Sequence, residues 1–198
     1  MQYSNETLSQ VLVGLANDDL SVRDELVADG SLGKYGYHPR MEALHKRNAT
    51  RLAAIIKQYG WPGKSLVGED GAWAAWLIAQ HSIGNPPFMR HCLSLLKQAA
   101  ANNEIVPWQV AMLEDRIRMY EGKPQVYGTQ FQLSESGELY PYPIESAESV
   151  NEQRLAVGLN TIEERTAELR EQNARENIPI PPDLEDQYEK WLYSVGWR

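Results

Sequence analysis

The chain has 198 residues, of which 42% are hydrophobic and 23% charged, with a net charge of −8. That length fits one domain or a domain with a small appendage, and that composition supports a packed core rather than disorder. The acidic balance excludes a nucleic-acid or anionic-membrane surface, both of which need clustered Lys and Arg.

The first predicted helix spans 5–28, with Leu8, Val11, Leu12, Leu15, Val22 and Leu26 at helical spacing. Before it, Met1 to Glu6 carries neither a basic region nor an apolar run, so the cytoplasm is the expected location. A glycine-rich link over Gly30–Pro39 leads to a second helix from about 40 to Tyr59, closed by Gly60-Trp61-Pro62-Gly63. A third helix is expected over about 70–82, a fourth over 87–101 and a fifth over 107–121, with Pro107 suited to a first turn. None approaches the roughly 18 apolar residues that a membrane span needs.

Beyond Pro124 the pattern changes. Gln125 to Leu133 alternates with period two, Ser136-Gly137 signals a turn, and Leu139 to Ile144 follows, which predicts a small β-hairpin over 125–144. Helix returns over 148–176. Ile178 to Pro182 reads as an extended linker, and Tyr188, Trp191, Leu192 and Tyr193 mark a last amphipathic helix. The expectation is a mainly α fold of six to eight helices with one hairpin. Residues 1–177 form one domain, and 178–198 form a linker and a helix that docks on the domain, on a protein partner or on a second copy.

Several polar residues interrupt apolar faces. On the second helix His45 and Asn48 fall inside the stripe of Met41, Leu52, Ile55, Ile56 and Tyr59. Burying an imidazole or an amide costs roughly 1–3 kcal/mol unless it finds a partner. The third helix is apolar all round, with Asp70, Gln80 and His81 on the face of Trp73 and Leu77. On the fifth, Gln109 and Arg116 share a margin of the Val110, Leu113, Ile117 and Tyr120 stripe, while Asp115 points away and reads as solvated or locally paired. Arg116 at such an edge calls for an anion, Asp70 or a ligand. Gln125, Tyr127 and Thr129 would share a strand face, with Gln130 beside them and Gly128 permitting close approach. Asp19 and Arg23 form an i,i+4 pair whose usual place is the helix surface, although Asp19 lies near the stripe. The single cysteine, Cys92, excludes an internal disulfide and reads as a small buried hydrophobe.

These residues predict one polar pocket between the second, third and fifth helices. An enzyme acting on a small polar or anionic molecule would use His45 or His81 as general base. Asn48, Asp70, Gln80, Arg116, Gln125, Tyr127, Thr129 and Gln130 would bind the ligand. No motif requires a cofactor; a divalent metal on His45, His81 and Asp70 is the alternative. The competing reading is a non-catalytic ligand-binding or protein-interaction module. No zincin spacing, phosphate loop, nucleophile elbow or dinucleotide fingerprint is present, and Ser82 after His81 removes the His-Asp step of histidine–aspartate phosphohydrolases.

Asp19-Leu20-Ser21-Val22-Arg23, His45 with Asn48, Gly60-Trp61-Pro62, Ala74 to His81, Leu113 to Ile117 and Gln125 to Gln130 together resemble a bacterial family of unknown function, over about residues 10–165. Leu20 stands where that family usually has Gln. The resemblance implies a real domain and names positions, but implies no reaction.

Overall fold

The computed structural model describes residues 6–32, 37–134, 137–176 and 184–198. Residues 33–36 of the glycine-rich link, Ser136 of the expected turn and the 178–182 linker lie outside the described residues. Eight helices and one two-stranded antiparallel sheet are present among those described. Among the described residues no helix is long and apolar enough to cross a membrane. The chain divides into two compact units, Met1–Ile105 with Pro179–Trp197, and Val106–Ile178 with Arg198.

The first unit holds α1 (Glu6–Ala28), α2 (Pro39–Tyr59), α3 (Lys64–His81), α4 (Pro86–Ala101) and the C-terminal α8 (Leu184–Val195). Local chemistry sets their ends. Pro39 opens α2, where the His38 ring accepts from the Arg40 amide at 3.2 Å, and Gly60 closes it. Asn85 caps α4 by accepting from the Phe88 amide at 3.3 Å, ahead of Pro86 and Pro87. Helix α3 is buried over most of its length and packs against α1, α2 and α4. It begins earlier than the apolar run predicts, because Lys64–Val67 form a first turn and Gly68 then adopts φ 73° and interrupts the helix. Only a residue without Cβ takes that backbone readily. The interruption makes Asp70 part of a new first turn, where a carboxylate favours the positive helix end and faces water.

The second unit holds α5 (Pro107–Tyr120), β1 (Phe131–Leu133), β2 (Leu139–Pro141), α6 (Val150–Ala156) and α7 (Ile162–Glu176). The strands pair with Gln132 opposite Tyr140. The hairpin is shorter than the alternating pattern predicts: Gln125 to Gln130 is a loop, joined to the chain beyond β2 by a Gln125–Ile144 bridge and by the Tyr142 amide, which donates to the Gln130 carbonyl at 3.0 Å. The single helix expected over 148–176 is two. It breaks after Ala156 at Gly158, and Thr161 restarts it through a capping box. The Glu164 carboxylate accepts from the Thr161 amide at 2.9 Å, and the Glu164 amide donates to Thr161 Oγ1 at 3.3 Å.

Helices α1 and α3 meet closely at Gly71. A Cβ there would lie 2.8 Å from Ser9 Oγ and 2.8 Å from Val67 Cβ. Gly71→Ala is therefore expected to destabilise the protein by about 1–3 kcal/mol through overpacking, read as a lower urea midpoint at unchanged slope. An unchanged midpoint would show that the α1–α3 approach is slack.

Candidate functional site: a buried carboxylate between two histidines

In α1 the buried positions are Leu8, Leu12, Ala16, Asp19 and Leu26, steps of three, four and seven that trace one helix face. Asp19 occupies a core position of that stripe and is 1% exposed. In α2 the buried stripe runs Met41, Leu44, His45, Asn48, Ala49, Leu52 and Ile56, so His45 and Asn48 point inward as their spacing predicts. His81 ends α3 at the edge of the core, its side chain 23% exposed. These three helices bring the carboxylate and both imidazoles together.

Asp19 Oδ2 lies 3.0 Å from His81 Nδ1, with which it hydrogen-bonds, and 3.1 Å from His45 Nε2. His45 Nε2 is close but makes no hydrogen bond, and Asp19 Oδ1 makes none either. Behind His45, Nδ1 is hydrogen-bonded at 2.6 Å to the hydroxyl of Tyr37. The two imidazole centroids are 5.2 Å apart. Burial alone would raise the Asp19 carboxyl, but the two imidazoles set against it, His45 and His81, outweigh it and hold the group well below the usual carboxylate range. Asp19, His45 and His81 each offer one donor atom, all within 4.8 Å of one another, a set able to hold a metal ion.

Asn48 secures the geometry. Its Nδ2 donates to the Leu15 carbonyl at 3.0 Å, one turn before Asp19 on α1, while its Oδ1 accepts from Arg47 Nε at 3.3 Å. The amide that needed a partner on an apolar face thus fastens α2 to α1. A pocket of about 200 Å³ opens beside His45, lined also by Tyr37, Lys46, Thr50, Ser82 and Asn85. Drug-sized ligands fill roughly 300–1,000 Å³, so this one suits a molecule of few atoms.

The expected metal set needs one correction. Its carboxylate is Asp19, not Asp70, which lies exposed on the solvent side of α3 near Trp73, itself 39% exposed. The helix face that Asp70 shares with Trp73 opens to water at this end of α3 and becomes buried only toward Leu77. Asp19 in turn is no surface partner of Arg23: it faces the histidines, and Arg23 reaches Asp24 at 3.7 Å. Gln80 is buried, as expected for its face.

The other expected ligand-binding residues belong to the second unit, where they form a cluster of their own. Asp115 is fully buried rather than solvated. Its carboxylate accepts from the amides of Val126 at 2.8 Å, Tyr127 at 3.2 Å and Thr129 at 2.9 Å, which wraps the loop around it. Burial raises its carboxyl above the ordinary value, and these amides oppose that shift only in part. Gln125 accepts from the Gln130 amide at 2.7 Å and donates to the carbonyls of Gln130 and Tyr142, each at 3.0 Å. Arg116 Nε donates to Gln130 Oε1 at 3.0 Å, and Gln130 Nε2 donates to Thr129 Oγ1 at 3.0 Å. Gln125, Tyr127 and Thr129 therefore share no strand face. Arg154, 1% exposed, closes the cluster by donating to the carbonyls of Tyr127 at 2.8 Å and Asn160 at 2.6 Å. Gly128 is required here: its φ is 63°, and a Cβ would lie 2.9 Å from both Ile144 and Ile162.

A family model matches residues 6–175, a span that contains both clusters. The chain belongs to the family of unknown function DUF6624. No curated protein and no solved structure matches it. The family therefore brings no reaction with it, and the chemistry must be read from the side chains. Sequence reasoning singled out neither Tyr37 nor Arg154 and misplaced Asp115. A signal existed for Arg154, which sits one turn from the buried Val150 on a short amphipathic helix.

Two measurements check this account. Asp115→Asn keeps the shape but replaces an accepting oxygen with a donor that faces backbone amides. It is expected to cost about 1–3 kcal/mol in a denaturant melt. Cys92 is fully buried, and burial pushes its thiol up to about 12. At pH 8 it should therefore resist a thiol-disulfide reagent in the folded protein and react fully in denaturant. Rapid labelling of the native protein would contradict its burial.

Proposed function

We propose that the first unit is a metal-assisted enzyme acting on a small polar or anionic substrate, with Asp19, His45 and His81 holding a divalent cation of the zinc class. One observation carries this reading: three donors of the right chemistry converge within 4.8 Å in a mostly buried site. Donor atoms about 2.1 Å from a tetrahedral ion lie about 3.4 Å apart. The Asp19–His45 and Asp19–His81 separations, 3.1 and 3.0 Å, are close to that edge. The lone pairs with no hydrogen bond, on His45 Nε2 and Asp19 Oδ1, are what an ion would engage. The Tyr37 hydroxyl on His45 Nδ1 supplies the outer partner that orients a ligating imidazole.

Two histidines and one carboxylate leave a coordination position for water, as hydrolytic metal sites require. The cation would lower the pKa of that water to near neutrality. In a hydrolysis such a water would supply the oxygen that bonds to the electrophilic carbon or phosphorus of the substrate, and the leaving oxygen or nitrogen would keep the electron pair of the broken bond and take up the proton. The pocket beside His45 would seat the substrate. Lys46 lies on its wall, ion-paired with Glu42 at 2.5 Å, and would have to leave that partner to meet an anionic group.

A second reading has its own support. Tyr37, His45, Asp19 and His81 form a continuous chain of polar contacts of 2.6, 3.1 and 3.0 Å. Such a chain works without a metal, with a histidine as general base held by the carboxylate.

Elemental analysis and thermal unfolding separate the two. With zinc at a hundred times its Kd the folded state gains about 2.7 kcal/mol, which for a chain of this size raises Tm by about 5–10 °C. The rise should vanish in His45→Ala and shrink strongly in Asp19→Asn. A protein purified without metal, whose Tm ignores zinc, manganese and cobalt alike, would remove the metal reading and leave the general-base one.

A further inference from the structure

The C-terminal helix α8 lies beyond the residues that the family model matches, yet it packs beside the His45 centre. Its Trp191 ring meets Tyr37 edge-on, with centroids 5.4 Å apart and planes at 73°. Tyr188 stacks on Trp191 at 5.9 Å, one turn earlier on the same helix. Leu192 is fully buried. Past the helix end, Trp197 Nε1 donates to the Ile83 carbonyl at 2.8 Å, and the Arg90 guanidinium lies 5.1 Å from the Trp197 ring. Ile83 sits between Ser82 and Gly84, which line the pocket, as Tyr37 does. Helix α8 is thus fastened at two parts of the pocket rim.

Tyr37 matters because a phenol hydroxyl both donates and accepts. It can donate to His45 Nδ1 when the ring proton is on Nε2, or accept from Nδ1–H when Nε2 uses its lone pair. The second state is the one a metal or a substrate proton needs. The hydroxyl can serve His45 only while the phenol ring is held in place, and Trp191 of α8 meets that ring edge-on.

We infer that Trp191 is a positioning residue for the His45 centre: its edge-to-face contact fixes the Tyr37 ring, and the Tyr37 hydroxyl fixes the orientation and tautomer of His45. The role rests on the reading of His45 as a working residue. It adds that the site is completed by a segment outside the matched family region.

The test is long-range proton–nitrogen NMR of the histidine rings in the full-length metal-free protein, with His45 assigned by its loss in His45→Gln. Tyr37→Phe gives the reference pattern for an imidazole without its Nδ1 partner. Trp191→Leu, which keeps apolar volume but removes the ring, should move the His45 nitrogens toward the Tyr37→Phe pattern. Trp191→Phe should restore the wild-type pattern. Tyr193→Ala, at a position 64% exposed on the same helix, should change nothing. The zinc Kd should rise about tenfold in Trp191→Leu. A wild-type His45 pattern in a folded Trp191→Leu protein overturns the inference. Should Trp191→Leu fail to fold, Trp191→Phe decides alone: a wild-type His45 pattern supports the role, and a Tyr37→Phe-like pattern overturns it. Zinc that fails to bind the wild type removes the metal reading, while the NMR comparison still decides whether Trp191 positions His45.

Discussion

A single carboxylate on an apolar helix face organises the first unit. Asp19 occupies a position on α1 that a leucine or alanine would fill without cost. An isolated ionised carboxylate cannot stay there, because its desolvation would neutralise it or unfold the site. It stays ionised because α2 and α3 each deliver an imidazole to the same oxygen. The helices that meet around it are therefore constrained in rotation as well as in distance. A turn of any one by a single residue, about 100°, would leave the charge without its partner. Apolar packing brings α1, α2 and α3 together, and the carboxylate determines which faces meet.

The second unit solves the same problem with different partners. Asp115 is also a fully buried carboxylate on a helix, but it is answered by backbone amides. Backbone amides have fixed positions and do not titrate near neutral pH, so they hold a loop in place. The Arg154 guanidinium binds carbonyls of the same loop from another side. Histidines around Asp19 can exchange protons or bind a cation, whereas the Asp115 cluster works as a clasp.

How far the sequence could be read follows from what each pattern measures. Helical periodicity reports which face is buried, and it placed His45 and Asn48 correctly because α2 is long and uninterrupted. The same arithmetic put Asp70 on the face of Trp73 and Leu77, but that face is buried only at Leu77; at the start of the run Trp73 is 39% exposed and Asp70 is exposed with it. Alternation over Gln125 to Leu133 suggested a strand, but only Phe131 to Leu133 pairs, and the segment before it is held as a loop by its own polar side chains. The Gln125 amide bonds the Gln130 backbone at both its N–H and its carbonyl, while the Gln130 side chain joins Arg116 to Thr129. The restart of α7 was legible in Thr161-x-x-Glu164, a capping box hidden inside a stretch rich in helix formers. Asp115 was the hardest: nothing local shows that a distant loop will bring three amides to it.

Buried polar residues in an uncharacterised fold are often all taken as functional, and here their remaining hydrogen-bonding capacity separates them. Asn48 uses both ends of its amide between Leu15 and Arg47. Gln125 uses its oxygen and both of its protons, and Arg154 spreads its donors over the carbonyls of Tyr127, Gly128 and Asn160. Side chains committed in this way cannot engage a ligand without releasing part of the fold. His45 Nε2 and Asp19 Oδ1 are buried, close together and without hydrogen bonds of their own. Leaving such atoms unsatisfied costs stability, roughly 1–3 kcal/mol each. Ser31 Oγ and Trp61 Nε1 are buried without a hydrogen bond as well, so an open atom does not by itself make a site. His45 Nε2 and Asp19 Oδ1 differ in belonging to one cluster of three donors, with His45 lining a pocket, and that convergence is what supports the proposed cation site.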